Sequence, residues 1–349
     1  MPRNKVRNVN FGRLAEQLVL GTPGSVSKEL KHQIEDNVLM SSYLKLFFLF
    51  ILGLFIGIFF YSAKPLPITG RLPELIFPNI SSPLTFIFTG DVMLGRSVNT
   101  RIQKYADPTW PFKNITSLLS EADISIINLE SPFITDCRPT DKGMIFCADP
   151  KSVFGLVYAG VDFASLANNH IGNQGQKGVD ETISILTNNG ITPIGLGKPV
   201  FNTVKNVKIA LISFSDFPQL DENFMSAQIS EAALSADIVI ATFHWGWEYQ
   251  NKPNNRQIFL GHLAIDSGAD IVVGHHPHWV QTDEIYQGKP IYYSLGNLIF
   301  DQMWSDETRL GEILKITYKD NILIKKEIFP IKIYDYGQPI IYPSTSDLK

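Results

Sequence analysis

Cysteine is scarce: Cys137 and Cys147 are the only two in 349 residues, and neither has another cysteine or a histidine close by. Neither therefore reads as a zinc ligand. An excess of positive charge is also missing. Thirty Lys and Arg stand against 34 Asp and Glu, a net charge of -4, which argues against a dedicated nucleic-acid binder. The chain has no internal repeat, and its only biased tract is a short proline-rich stretch. Charged residues are sparse at 18%, whereas apolar residues reach 44%. The mean hydropathy of +0.03 is high for a soluble chain, and one segment explains much of it.

That segment, YLKLFFLFILGLFIGIFFY, runs from Tyr43 to Tyr61 and carries no charge from Leu46 onward. Its length approaches the ~20 residues that span a bilayer. A tyrosine sits at each end, where amphipathic rings favour the interface. With no polar face it makes a poor core helix. The closer rival is a cleavable signal peptide, but the apolar run is long and the bulky Tyr61 stands where cleavage wants a small residue. The reading is a transmembrane helix over 43–62, acting as a signal-anchor. Arg3, Lys5, Arg7, Arg13, Lys28, Lys31 and Lys45 precede or open it. By the positive-inside tendency, residues 1–42 form a cytoplasmic tail and everything after the span is extracytoplasmic. Residues 63–83, with five prolines between 64 and 83, read as an extended linker.

Beyond the linker, short apolar runs alternate with helical patterns. LTFIFTG, DISIINLE, VDFASLANNH, KIALISF, DIVIATFHWG and DIVVGHHPH suit strands buried on both faces. Ser97–Tyr105, Lys177–Asn188 and Asn255–Asp266 read as helices between them. The fold class is α/β, with a main domain over 84–335 and a C-terminal tail at 336–349. PIYYSLG, EILKITY and ILIKKEIFPIKIY lie close together and predict a more antiparallel end to the sheet.

Nearly every run ends in a metal-ligand type: Asp91, Glu130, Asn169 with His170, His244, and His276 with His278. In open α/β sheets, sites form outside the carboxyl ends of strands. Two carboxylates, histidines and an amide form an oxygen–nitrogen donor set suited to one or two divalent ions such as Mn, Fe or Zn. Two such ions sharing a carboxylate activate water and stabilise in-line displacement at phosphorus.

The strings FTGDVMLGR, NLESP, LANNHIGNQG, TFHWGWEY, GADIVVGHHPHWVQ and YSLGNLIFDQ resemble the CapA family of capsule (poly-γ-glutamate) biosynthesis proteins, across most of residues 84–302. The family is related to calcineurin-like metallophosphoesterases, which implies a four-layer α/β/β/α sandwich. On that resemblance Asp91, Glu130, Asn169, His244, His276 and His278 would hold metal, with Glu130 bridging. His170 would protonate the leaving group or steady the phosphoryl oxygen, and His275 would be a bystander. The sequence departs from the phosphoesterase pattern at Met93, where a histidine ligand is usual, and at Glu130, where an aspartate is usual. The first metal site then keeps Asp91, Glu130 and His278.

Residues nearby are candidates for substrate binding or for orienting ligands: Arg96 as an anion clamp, Glu248 as an acid/base or structural partner, and Asn128, Asn297 and Asp301 as hydrogen-bonding partners. A loop cap or surface ion pair is the alternative for each. Trp245, Trp247 and Trp279 flank the histidine motifs and read as core packing ahead of substrate stacking, with a mixed role as the alternative, and His262 reads as a hydrogen-bonded helix residue. In an oxidising compartment Cys137 and Cys147 are expected to form a disulfide rather than stay free. The resemblance implies a membrane-anchored, metal-dependent hydrolase of phosphoester or polymer-linked bonds. Its substrate would be an anionic polymer or its precursor, and capsule-synthase subunits would be its partners. The alternative is a non-catalytic metal- or polymer-binding component of a synthesis and export complex, which Met93 favours.

Overall fold

The computed structural model describes residues 44–54, 82–138 and 140–342. The chain divides into two compact units at Phe77 and Pro78. In the first, residues 44–54 are helical and expose Leu46, Phe47, Phe48, Leu49 and Phe50. Among the described residues no helix is long and apolar enough to cross a membrane. The tail, the rest of the expected span and nearly all of the linker lie outside the described residues.

The second unit holds two mixed sheets. In the first, β1 (Leu84–Val92), β2 (Ile124–Leu129), β3 (Phe163–Ser165) and β4 (Thr192–Ile194) run parallel. An antiparallel wing of β12 (Leu310–Lys319), β13 (Ile322–Tyr334) and β14 (Gln338–Ile341) extends it beyond β1, and β11 (Asn297–Ile299) pairs with β1 at its end. The second sheet has the order β5 (Val200–Val204), β6 (Val207–Ser215), β7 (Ile238–His244), β8 (Ile271–His275), β10 (Lys289–Tyr292), β9 (Asp283–Tyr286). β6, β7, β8 and β10 are parallel, with antiparallel edges.

Strand alternation explains the layering. Phe86, Phe88, Ile124 and Ile126 face Leu211, Ile238, Ile240 and Val273 across the space between the sheets. The neighbouring residues Ile87, Ile127 and Leu129 turn outward against α1 (Arg96–Tyr105), α2 (Thr116–Leu119), α3 (Val153–Tyr158) and α4 (Gly175–Asn188). The far face of the second sheet packs Ile212, Val239 and Val272 on α5 (Glu222–Ala233) and α6 (Asn255–Asp266). The result is α/β/β/α. Each fully buried Leu, Ile or Phe stabilises it by about 1.5–3 kcal/mol.

A repeated local device sets the strand register. Asp123, Asp162, Asp237 and Asp270 each stand just ahead of a parallel strand. Each accepts the backbone N–H of a residue on the adjacent strand (Thr85, Ser125, Lys208 and Val239), at 2.8 Å in every case. A one-residue slip would turn every side chain to the other face, so these bonds hold the opposite, carboxyl ends in alignment.

Two sequence expectations shift. The tail expected from residue 336 contains β14, which pairs with β13 across a turn where Asp335, Tyr336 and Gly337 all have positive φ. Trp247 is 68% exposed rather than packed in the core, whereas Trp245 is fully buried and donates its indole N–H to the Tyr293 carbonyl at 2.9 Å. Gly274 explains that close packing: a Cβ there would lie 2.2 Å from the Tyr293 oxygen and 2.4 Å from Trp245 Nε1. Gly274→Ala is expected to destabilise the fold by about 1–3 kcal/mol. Gly172→Ala, with open space around it, should stay within about 0.5 kcal/mol. Denaturant melts giving equal effects for the two would contradict this packing.

Candidate metal centre

The carboxyl ends of the parallel strands of both sheets meet at one edge. β1 delivers Asp91, β2 is followed by Glu130, and the loop after β3 carries Asn168, Asn169 and His170. β7 ends at His244, and β8 leads into His276 and His278. His276 and His278 have φ of 95° and 56°, the left-handed region that non-glycine residues avoid. That strain lets two histidines on one short turn face the same cluster.

Glu130 lies at the middle. It is fully buried, and among the described residues neither carboxylate oxygen has a hydrogen-bond partner. Around its Oε1 stand His170 Nε2 at 3.8 Å, His278 Nε2 at 3.8 Å and His244 Nε2 at 3.9 Å. Those separations are too long for hydrogen bonds and suit atoms that share a cation between them. Two ligand groups share this carboxylate: Asp91, Glu130 and His278 form one, and Glu130, His244 and His276 the other. A third group joins the half-buried Glu248 to His276 and His278.

The surrounding hydrogen bonds orient these donors. Asn297 Oδ1 and Asp91 Oδ2 both approach His278 Nδ1, at 3.0 and 3.1 Å. Both are acceptors, so Nδ1 carries the proton and Nε2 keeps its lone pair towards Glu130. His170 is set in the same way. Asn173 Oδ1 accepts from the Phe146 backbone N–H at 2.6 Å and from His170 Nδ1 at 3.0 Å. Asn128 donates to Asp91 Oδ1 at 2.8 Å, lies 3.3 Å from His244 Nδ1, and accepts from Asn168 at 3.2 Å. Asn169 is exposed, with its oxygen 2.8 Å from His244 Nε2.

The electrostatics favour a cation. Burial opposes ionisation of Asp91, but the imidazoles of His275 and His278 beside it hold its carboxyl well below the usual range. Burial, then the charges of Asp91 and Glu248, push the Glu130 carboxyl well above its usual range. Burial lowers His244 and His170, and drives His276 down to about 3, so all three are neutral near pH 7. A buried carboxylate without a partner amid neutral imidazoles fits a divalent ion chemically.

Other sequence candidates take different places. Arg96 is buried and paired with Asp301, donates to the Gly143 carbonyl at 3.1 Å, and lies over the Phe146 ring. Its charge is thus engaged within the fold. Asp301 serves Arg96 and the Ser97 N–H rather than a histidine, while Asn297 does hold His278. Met93 is fully buried among Val92 and Leu94, its sulfur accepting from the Gly95 N–H at 3.0 Å. His275, expected to stand aside, places Nδ1 3.4 Å from Asp91 Oδ1. His262 pairs with Glu284 far from these residues in the fold, stacked on Tyr286. Cys137 and Cys147 are joined in a disulfide with Cα atoms 5.7 Å apart. It closes the loop that lays Phe146 on His170, ring centroids 4.0 Å apart.

Sequence reasoning missed Asn168, Asn173, Phe146 and Phe217, the last packed on His276 at 4.4 Å. Asn168 and Asn173 flank the chosen residues in NNHIGN, so their spacing was visible there. The two phenylalanines left no polar signal.

A buried carboxylate shared by two groups of side chains that could hold a metal ion, at the common edge of two mixed sheets, defines an α/β sandwich with a candidate metal centre. A family model described as bacterial capsule synthesis protein PGA_cap matches residues 85–302, and the chain belongs to that family. It is 31% identical to the capsule biosynthesis protein CapA of Bacillus anthracis over 294 residues, covering 76% of this chain and 70% of that one. The PGA biosynthesis protein CapA of Bacillus subtilis (strain 168) is 32% identical over 277 residues, 72% of each chain. A solved structure of a hypothetical protein from Thermus thermophilus shares the fold, with TM-score 0.50 and 14% identity, covering 72% of this chain and all of that one.

Replacing Glu130 by Gln tests the centre directly. Glu130 has its pKa raised by folding, so its contribution to stability is present below the unfolded carboxylate pKa and fades as pH rises through the folded value. Without metal, Glu130→Gln should melt no lower than the parent at pH 8, and higher by about 1–3 kcal/mol. It should also lose any thermal shift on adding Mn or Zn. A metal-induced shift that survives in the variant would contradict the bridging role.

Proposed function

We propose that the chain is a membrane-anchored, extracytoplasmic hydrolase dependent on divalent metal. It would cleave a phosphoester or polymer-linked bond during capsule, poly-γ-glutamate or related envelope-polymer synthesis. The observation that carries this reading is Glu130, unpartnered and common to two ligand groups, with His170 beside it. Bound divalent ions supply Lewis acidity and a nucleophilic water near neutral pH.

The protein's own residues do the rest. Asp91, Glu130 and His278 would hold one ion, and Glu130, His244 and His276, with the Asn169 oxygen, a second. Asn297 and Asn128 keep the ligating atoms aimed inward. The acid role that the resemblance implies for His170 meets an obstacle, because burial lowers its pKa and the hydrogen bond from Nδ1 to Asn173 only partly opposes that. The arrangement favours His170 as a proton acceptor at Nε2. A proton taken from water there is available afterwards for the leaving oxygen.

Turnover of bis(p-nitrophenyl) phosphate tests the reading. Activity should require added Mn, Fe or Zn, and His170→Ala should lower kcat about 10²–10⁴-fold with metal content unchanged. A second reading, a non-catalytic metal- or polymer-binding component of a synthesis and export complex, draws on Met93, whose burial removes one donor. Stoichiometric metal and polymer binding without turnover would favour it. For the anchor, the full chain should sediment with membranes and resist extraction at high salt. A chain beginning at residue 63 should stay in the supernatant, and equal partitioning of the two would contradict anchoring by the 43–62 segment.

A further inference from the structure

Beside the centre lies a cavity of about 430 Å³, lined by Asp216, Phe217, Gln219, Trp247, Asn255 and Arg256 among others. It neighbours the candidate site at Phe217, which lines it and whose ring packs on His276 at 4.4 Å. Two features of its lining need an explanation. Trp247 shows 68% of its surface and Phe217 37%, whereas the nearby Trp245, next to His244, is fully buried. Large exposed aromatic faces around a hollow of mixed, mainly apolar lining mark a binding surface rather than a core.

The polar lining carries no net charge. Arg256 is saturated: it pairs with Asp216 at 3.1 Å, with Glu222, and with the Leu220 carbonyl at 2.8 Å. Gln219 and Asn255 are both exposed, their amides free for a ligand. An anionic group would find no unpaired cation among these residues, and a purely apolar chain would leave the amides and the ion pair without partners. A ring with an apolar C–H face and a rim of hydroxyls satisfies both parts.

The geometry points to a saccharide-binding subsite in this cavity, with Trp247 as the stacking platform and Gln219, Asn255 and the Asp216–Arg256 pair meeting the hydroxyls. This rests on the proposed reading of the neighbouring centre and narrows it to a sugar-containing envelope polymer or precursor, because it assigns a neutral sugar unit to the part of the substrate lying past His276. The subsite itself needs neither metal nor turnover.

Saturation-transfer NMR on the full chain with EDTA present tests it. The probes are methyl β-glucoside, N-acetylglucosamine and β1,4-linked disaccharides of each, with glycerol and cyclohexanol as controls. The expected result is transfer to the C–H protons of one ring face. Affinity should fall roughly tenfold in Trp247→Ala, and not in Trp304→Ala, a change at an equally exposed indole outside the cavity. The proposal is overturned if no saccharide shows transfer, if cyclohexanol alone does, or if the two tryptophan variants weaken binding alike. Saccharide binding without phosphodiester turnover would keep the subsite and sink the hydrolase reading, so the two failures are distinguishable.

Discussion

A carboxylate buried in protein without a hydrogen-bond partner costs several kcal/mol unless something neutralises it. Glu130 is in that position, and the edge of the molecule is arranged around it. Asp91 approaches from the first sheet, His244, His276 and His278 from the second, and His170 from the loop after β3. With no cation, burial pushes the carboxyl towards its protonated form; with one, the same burial that penalises the charge strengthens its attraction to the ion. The rest of the site follows from needing both states to fit one rigid pocket.

Rigidity comes from the far side of the sheets. The four aspartates ahead of the parallel strands fix register at the amino ends, so the carboxyl ends arrive together. Asparagines then complete the alignment locally: Asn297 settles which nitrogen of His278 is free, Asn173 does so for His170, and Asn128 links Asp91 to His244. Binding a metal costs little reorganisation when its ligands are already held.

The layered fold and most of the donors were legible because both follow short-range rules. Apolar runs between helical stretches announced β1, β2, β6, β7 and β8, and a ligand type ending nearly every run announced the edge. Contacts set by tertiary packing were not legible. Arg96 reads as a free anion clamp until Asp301, 205 residues away, is brought against it. Met93 sits in a ligand position by spacing, but turns into the core to accept the Gly95 N–H. Trp247 and Trp245 look equivalent in sequence, and only the strand end at His244 separates the buried one from the exposed one. Asn168 and Asn169 are likewise adjacent, one buried and orienting, the other exposed against His244.

Crystals of the full chain grown with manganese, measured for anomalous scattering, address the Glu130 centre most directly. The account predicts anomalous density bonded to a Glu130 oxygen, flanked by His278 and Asp91, by His244 and His276, or by both pairs. Manganese absent from this carboxylate, with Glu130 still buried and its histidine neighbours in place, would contradict it.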